Sequence, residues 1–220
     1  MSMTRLISSL VPILTPEDTG SKALALMEEN KLAELPVVQD DLYIALVKED
    51  DLMDMADSEL PLKDTELLLT YKPAIPATSH PYEALRLITQ MELDVLPVVN
   101  FEQKYLGAIT KDTMLQYISE HSSYETPGGI IVLEMEARNY SLYEIARICE
   151  NEDVTILNAQ VHTTPEGTME VTIKTNRSAL EAVVSSLERH DYRVKEVFGD
   201  QKNMEDVMGK YNLLMNYLNM

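Results

Sequence analysis

The feature that most constrains the fold is a stretch that occurs twice. Leu35-Pro36-Val37-Val38 recurs as Leu96-Pro97-Val98-Val99, at a shift of 61 positions (97 minus 36). The same spacing pairs residues of the segments before each stretch, so chance similarity between two amphipathic segments is the weaker explanation. A unit this short has little interior of its own, and we therefore expect two repeats that stack on one another.

Each repeat has the pattern of a helix, the Leu-Pro-Val-Val strand, a turn, a second strand and a closing helix. The closing helices are expected to start near Asp50 and Asp112, and Thr19 is the expected N-cap of the first helix. After one extra residue in the second copy, Ala45-Leu46-Val47 aligns with Gly107-Ala108-Ile109. We assign residues 1–62 to repeat 1 and residues 63–122 to repeat 2.

Clustered Ser, Pro and Gly at residues 122–129 indicate a domain boundary. Beyond it, the apolar periodicity alternates between strand and helix in the order βαββαβ, with Asn176 as the expected cap of the second helix. This is the ferredoxin-like arrangement, a four-stranded antiparallel sheet with two helices on one face, which we assign to residues 129–200. The chain as a whole is therefore predicted to be α+β.

Residues 201–220 have the pattern of an amphipathic C-terminal helix. Its apolar residues are spaced alternately by four and three, as in a coiled coil: Met204, Met208, Tyr211, Met215 and Leu218. Because so short a helix is marginal alone in water, we expect it to dock on its own sheet domain or on a second chain. We favour a contact between chains, and hence a homodimer.

The chain is acidic, with 37 acidic against 18 basic residues and a net charge of −19. Such a charge repels a phosphate backbone, and we expect no binding to nucleic acid. No apolar run approaches the length of a membrane span, and the N-terminus lacks a secretory signal. A single cysteine fits a reducing compartment, so we expect a cytoplasmic protein.

Four common catalytic or metal-binding motifs are absent from the sequence: GxSxG, GxxxxGK[ST], HExxH and CxxC. Cys149 lies on the apolar face of a predicted helix and is expected to be a buried thiol rather than a nucleophile. The run Glu49-Asp50-Asp51 suits a helix start better than a divalent-metal site. We therefore expect no enzymatic activity.

Residues 6–122 resemble a tandem pair of cystathionine-β-synthase (CBS) domains. The resemblance is carried by the helices with Ala23 or Ala84, the Leu-Pro-Val-Val strands and the strand that ends in Gly107-Ala108-Ile109-Thr110. It implies a pseudo-twofold pair with a ligand cleft between the repeats. The implied regulatory ligands are AMP, ADP, ATP or S-adenosylmethionine.

The family's motif places a Ser or Thr against phosphate and, three residues later, an Asp against the ribose hydroxyls. Repeat 1 keeps the acid as Asp51 but has Lys48 at the hydroxyl position, and repeat 2 keeps Thr110 but has Thr113 in place of the acid. The resemblance thus implies a site made by Lys48, Asp51, Thr110, Lys111 and Thr15. Helix capping is the alternative role for Asp51 and Thr110.

The region from Ile130 to Gly199 resembles an ACT domain, carried by residues 136–147 and by Val154-Thr155-Ile156-Leu157. The combined order is similar to acetoin-utilisation-type CBS–ACT proteins. Family members bind amino acids beside a glycine after the first strand, and Tyr140 stands at that position here. The resemblance therefore implies that this pocket is absent and that the module pairs chains.

Two functions remain open from the sequence. The first is a regulatory module that binds a nucleotide or related metabolite in the CBS cleft and signals through domain packing. The second is a ligand-independent scaffold for oligomerisation and protein interaction, in which the pockets have decayed. The protein partner is unknown in either case.

Overall fold

The computed structural model describes residues 3–199, apart from the side chain of Thr70, and divides into two compact units between Ile118 and Ser119. Each repeat has the predicted order of elements. In repeat 1 these are α1 (Gly20–Asn30), β1 (Glu34–Gln39), β2 (Leu42–Lys48) and α2 (Glu49–Met53). Short 3-10 turns at Met3–Arg5 and Leu62–Asp64 flank them. Repeat 2 and its approach comprise α3 (Leu67–Thr70), β3 (Ile75–Pro76), α4 (Pro81–Gln90), β4 (Val95–Val99), β5 (Tyr105–Thr110) and α5 (Lys111–His121).

The first helix of each repeat starts and stops for local reasons. The Thr19 side chain accepts a hydrogen bond from the Lys22 N–H at 3.3 Å, which confirms the predicted cap of α1. α4 begins with Pro81, at the position where a missing N–H costs nothing. A residue in the left-handed conformation follows the C-terminal end of each of these helices. Lys31, after α1, has φ 55°, and Glu92, after α4 and 61 positions later, has φ 54°.

The two hairpins have the same register. Leu35 is the partner of Val47 in the β1–β2 pair, and Leu96 is the partner of Ile109 in the β4–β5 pair. The first members differ by 61 residues and the second by 62, which is the single-residue insertion inferred from the sequence. Both hairpins also have a register shift between the two valines of the Leu-Pro-Val-Val stretch.

The hairpins meet through reciprocal hydrogen bonds near their turns. The Tyr43 N–H donates to the Gln103 carbonyl at 3.1 Å, and the Tyr105 N–H donates to the Asp41 carbonyl at 2.8 Å. The rings of Tyr43 and Tyr105 stack with centroids 6.5 Å apart. Because equivalent residues exchange the same contacts, the repeats are related by a pseudo-twofold axis, and the predicted tandem pair is confirmed.

Each hairpin is also bordered by the segment of chain that precedes the other repeat. Ser8 and Ala108 exchange two backbone hydrogen bonds, of 2.8 and 3.0 Å, so the N-terminal segment borders β5. The Leu46 N–H donates to the Tyr71 carbonyl at 3.0 Å, so the linker between the repeats borders β2. This exchange makes the two repeats one folding unit, and large buried residues from both fill its interior. They include Leu14, Met27, Leu35, Leu46, Leu52, Leu62, Leu93, Leu96, Ile109 and Met114.

The second unit has the predicted order βαββαβ. The elements are β6 (Ile130–Met135), α6 (Leu142–Asn151), β7 (Ile156–Thr163), β8 (Met169–Thr175), α7 (Glu181–Arg189) and β9 (Arg193–Phe198), with a 3-10 turn at Ala137–Asn139. The sheet is antiparallel, with the strand order β7-β8-β6-β9. Alternate residues of β6 and β8, among them Ile131, Leu133, Val171 and Ile173, are fully buried and share one core with both helices.

One predicted helix start is wrong. α7 begins at Glu181, so Asn176 does not cap it. The Asn176 side-chain oxygen instead accepts a hydrogen bond from the Thr155 N–H, ahead of β7, at 2.9 Å. The Asn176 side chain therefore links the segments before β7 and after β8 and does not start a helix.

The predicted C-terminal helix at 201–220 lies outside the described residues. Among residues 3–199, no helix is long and apolar enough to cross a membrane.

Candidate functional site

The residues at the ends of the two hairpins form the candidate site. Glu34 is the register partner of Lys48, and Val95 is the register partner of Thr110, so the predicted Lys48 and Thr110 occupy equivalent positions. Each closing helix is tied back to the residue before its hairpin. The Glu49 N–H donates to the Ala33 carbonyl at 2.9 Å, and the Lys111 N–H donates to the Asp94 carbonyl at 3.0 Å. We call Glu34, Lys48, Asp94, Thr110 and Lys111 the strand-end cluster.

Glu34 joins the two halves of this cluster and was not among the site residues predicted from the sequence. Its Oε2 accepts hydrogen bonds from the N–H groups of Asp94, at 2.8 Å, and Val95, at 3.2 Å. The residue is only 4% exposed, and burial raises the pKa of its carboxyl, an effect that the two hydrogen bonds and the charge of Lys48 oppose. A carboxylate at the head of an otherwise apolar strand was the signal that could have identified it.

Lys48 packs on an aromatic ring. Its Nζ lies 4.4 Å from the ring centre of Tyr71, in the linker that borders β2, within the range of a cation–π contact. It also stands at the N-cap position of α2 without making a side-chain cap. Lys48 is partly buried and is the register partner of Glu34, and its charge acts to lower the pKa of that carboxyl.

Asp51 lies in the first turn of α2, beside Glu49 and Asp50, and its side chain is exposed. The structure thus places it three residues after Lys48, on the helix that follows the strand end. The three carboxylates together suit the positive end of the helix dipole.

Thr110 caps α5. Its Oγ1 accepts from the Thr113 N–H at 3.1 Å and lies 2.9 Å from the Thr113 Oγ1. The capping role that the sequence offered as an alternative is therefore present. It does not exclude a ligand, because a hydroxyl has one donor and two acceptor positions.

Lys111 forms an ion pair with Asp94, with 2.5 Å between Nζ and Oδ1. That hydrogen bond and the charge of Asp94 raise the pKa of Lys111. The lysine side chain is exposed, and exposed ion pairs are weak and easily screened. A ligand could therefore recruit the ammonium by displacing Asp94.

Thr15 lies on the approach to α1 and is exposed. Its N–H donates to Asp18 Oδ2 at 2.7 Å. Burial raises the pKa of Asp18, but hydrogen bonds from Lys22 and Thr15 outweigh it and leave that pKa lowered. Thr15 thus belongs to a local turn before α1.

The metal-ligating side chains and the single thiol of the described residues can be located in the structure. Residues 3–199 contain no group of three or more His, Cys, Asp or Glu side chains placed to hold a metal ion. Cys149 is fully buried, as predicted, and burial raises the pKa of its thiol to about 11, which keeps it protonated near neutral pH.

A small apolar cavity lies at the opposite end of β4 from the strand-end cluster. It has a volume of about 70 Å³ and is lined by Pro76, Ala77, Thr78, Val99, Asn100 and Phe101. Sites for drug-sized ligands occupy roughly 300 to 1,000 Å³. This cavity is too small for a nucleotide.

In the second unit, Tyr140 follows the 3-10 turn after β6 and is partly buried against the core of the unit.

The family comparison agrees with this geometry. The family model of the CBS domain matches residues 5–57 and 66–120. The chain therefore contains a tandem pair of CBS domains, the class of module that the fold of the first unit defines.

Several solved structures are similar at low sequence identity. A CBS domain pair/ACT domain protein from Thermotoga maritima is 20% identical, with a TM-score of 0.49, and the match covers 55% of this chain and 98% of that one. CBSX2 in complex with AMP is 19% identical, with a TM-score of 0.47 and coverage of 54% and 96%. The cytosolic domain of the Mg²⁺ channel MgtE in complex with ATP is 19% identical, with a TM-score of 0.44 and coverage of 53% and 48%.

Proposed function

We propose that the CBS pair is a regulatory ligand-sensing module that binds an adenine nucleotide or related metabolite between its repeats. The observation that carries the proposal is the strand-end cluster, where the pseudo-twofold arrangement and Glu34 bring the ends of both hairpins together. Lys48 and Asp51 are the proposed anchors from repeat 1, and Thr110 and Lys111 are those from repeat 2. Thr15 is the least supported member of the set, because its contacts are local.

The proposed signal is a change in packing. A ligand shifts an equilibrium between two arrangements only by the difference in its affinity for them. The contacts that bind the strand-end cluster across the repeats, from Glu34 to the N–H groups of Asp94 and Val95, are the ones such a ligand would strengthen or break. We further propose that a protein partner recognises one of the two packing arrangements.

A thermal-shift screen tests ligand binding directly. AMP, ADP, ATP, S-adenosylmethionine and NAD are added in turn to the full chain, and at least one is expected to raise its melting temperature. A ligand that binds only the native state, at 100 times its Kd, adds about 2.7 kcal/mol to the free energy of unfolding.

The matched variants are Asp51→Ala and Asp50→Ala, since both carboxylates are exposed on α2. Asp51→Ala should abolish the shift while leaving the melting temperature of the free protein nearly unchanged, whereas Asp50→Ala should keep the shift. No shift with any of the five ligands would refute the sensing proposal.

The alternative is a ligand-independent scaffold, and specific contacts favour it. Thr110 caps a helix, Lys111 is paired with Asp94, and Lys48 lies on Tyr71, so three of the four candidate anchors already have a partner. Large apolar side chains are also exposed on the helices of the first unit, including Met53 (64%) and Leu115 (68%). A homodimer that covers them is the form this scaffold would take, and an absent shift in the screen would favour it.

The second unit is proposed to be an ACT-like pairing module, supported by its βαββαβ order and the strand order β7-β8-β6-β9. The inward packing of Tyr140 supports a role in assembly over amino-acid binding. A non-enzymatic, cytoplasmic regulator remains the proposal for the whole chain.

A further inference from the structure

The charge of the candidate site bears on the kind of ligand that it accepts. Glu34 is the buried charge at its centre, 4% exposed, with its Oε2 held by two backbone N–H groups of repeat 2. Free backbone N–H groups at a strand start are the donors that a phosphate oxygen would seek. Here a carboxylate of the protein occupies both.

The two lysines of the site offset only part of its negative charge. Lys111 is held by Asp94 at 2.5 Å, and Lys48 faces Glu34 across the β1–β2 pair and lies on the Tyr71 ring. Further carboxylates follow each lysine in the first turn of the next helix. At the strand ends and first helical turns, residues 34, 48–51, 94 and 110–113, two lysines stand against six acids: Glu34, Glu49, Asp50, Asp51, Asp94 and Asp112.

A ligand with several phosphates would bring up to four further negative charges to this place. Burial of Glu34 keeps solvent from screening its part of the repulsion, whereas the exposed carboxylates are screened by salt. An adenosine-type ligand with no phosphate meets none of this repulsion, and a cationic one is attracted.

We propose that Glu34 is a ligand-discriminating residue that excludes polyphosphates, so that the site takes an adenosine-type ligand of zero or positive net charge. This inference rests on the proposed function, because it concerns the same site. Of the ligands that the CBS resemblance implies, it selects S-adenosylmethionine and disfavours ADP and ATP, and it predicts that free adenosine binds as well.

Isothermal titration calorimetry on the full chain, in Mg²⁺-free buffer, tests the inference with adenosine, S-adenosylmethionine, AMP and ATP. The expected Kd rises in that series from the uncharged and cationic ligands to ATP. Raising NaCl from about 0.05 M to 0.5 M should lower the Kd for ATP and leave that for adenosine unchanged, since salt screens repulsion. A wild-type protein that binds ATP more tightly than adenosine, or whose ATP affinity falls with salt, would overturn the inference.

Glu34→Gln isolates the residue, since the amide oxygen can still accept both backbone hydrogen bonds while the charge is gone. It should lower the Kd for ATP about tenfold, as the removal of one unscreened like charge predicts, and change that for adenosine less than about twofold. Glu29→Gln, which removes an exposed charge from α1, is the matched control for net charge and should leave the ATP Kd nearly unchanged.

Equal effects of Glu34→Gln and Glu29→Gln would show that net charge, not Glu34, sets the preference, and would overturn the inference. If none of the four ligands binds at millimolar concentration, the proposed function fails and this inference fails with it. A preference for ATP that Glu34→Gln leaves unaltered would overturn the inference alone, because it would show a competent nucleotide site.

Discussion

At the residue scale, Glu34 separates what the sequence could show from what it could not. The CBS resemblance implied Lys48 and Thr110, and the strand register shows that these two residues occupy equivalent hairpin ends. The role of Glu34 depends on N–H groups 60 and 61 residues further along the chain. No local pattern encodes such a partner, so only the packed repeats reveal it.

The buried carboxyl of Glu34 predicts a pH dependence of stability. Burial raises its folded pKa above the ordinary value of 4.5, so its ionised form is less favourable in the folded chain than in the unfolded chain. Its contribution to stability is therefore complete below the ordinary pKa and is lost as the pH rises through the raised folded pKa.

Glu34→Gln should consequently gain stability relative to the parent protein as the pH rises. Melting temperatures of the two proteins at about pH 4 and about pH 7.5 measure the change, with one unit of pKa shift corresponding to about 1.4 kcal/mol. A difference between the two proteins that stays constant, or that falls with pH, would show that the carboxyl is not destabilised by burial.

At the scale of elements, most helices and strands were predictable, because the apolar periodicity and the caps agree with each other. Thr19 and Ser141 cap their helices as local rules expect. Asn176 fails the same rule, because its side chain meets the Thr155 N–H from another loop and the helix starts five residues later. The start of α7 was predicted wrongly because a tertiary contact of Asn176 replaced the expected helix cap.

Gly107 is the position where an element depends on one residue type. Its φ is +130°, and an added Cβ would lie 2.5 Å from Ile7 Cγ2 and 2.7 Å from the Ser8 carbonyl oxygen, in the segment that borders β5. Gly107→Ala should therefore destabilise the chain by roughly 1–3 kcal/mol, through backbone strain and displacement of that segment.

Gly167→Ala is the control for backbone strain, since φ there is +86° but nothing lies within 4 Å of the added Cβ. Chemical denaturation of both variants should show the larger loss of stability for Gly107→Ala. Equal losses would indicate that the N-terminal segment does not pack on β5 as described.

At the scale of the whole molecule, the duplication could be predicted because the same apolar stretch occurs twice in the sequence. The structure repeats it in the strand register, in the left-handed residues and in the reciprocal hydrogen bonds. The ligand was not readable, because each repeat keeps only one of the two anchors that the CBS resemblance implies. The proposed ligand class rests on the charge and burial of residues at the strand ends, and these properties can be determined only once the fold is known.

Photolabelling tests most directly whether the strand-end cluster is the ligand site. The full chain is irradiated with 8-azidoadenosine, with and without excess adenosine, and the labelled peptides are identified by mass spectrometry. We predict label within residues 34–51 and 94–113 that excess adenosine removes. Label confined to residues 119–199, or label that adenosine does not displace, would contradict a ligand site between the two repeats.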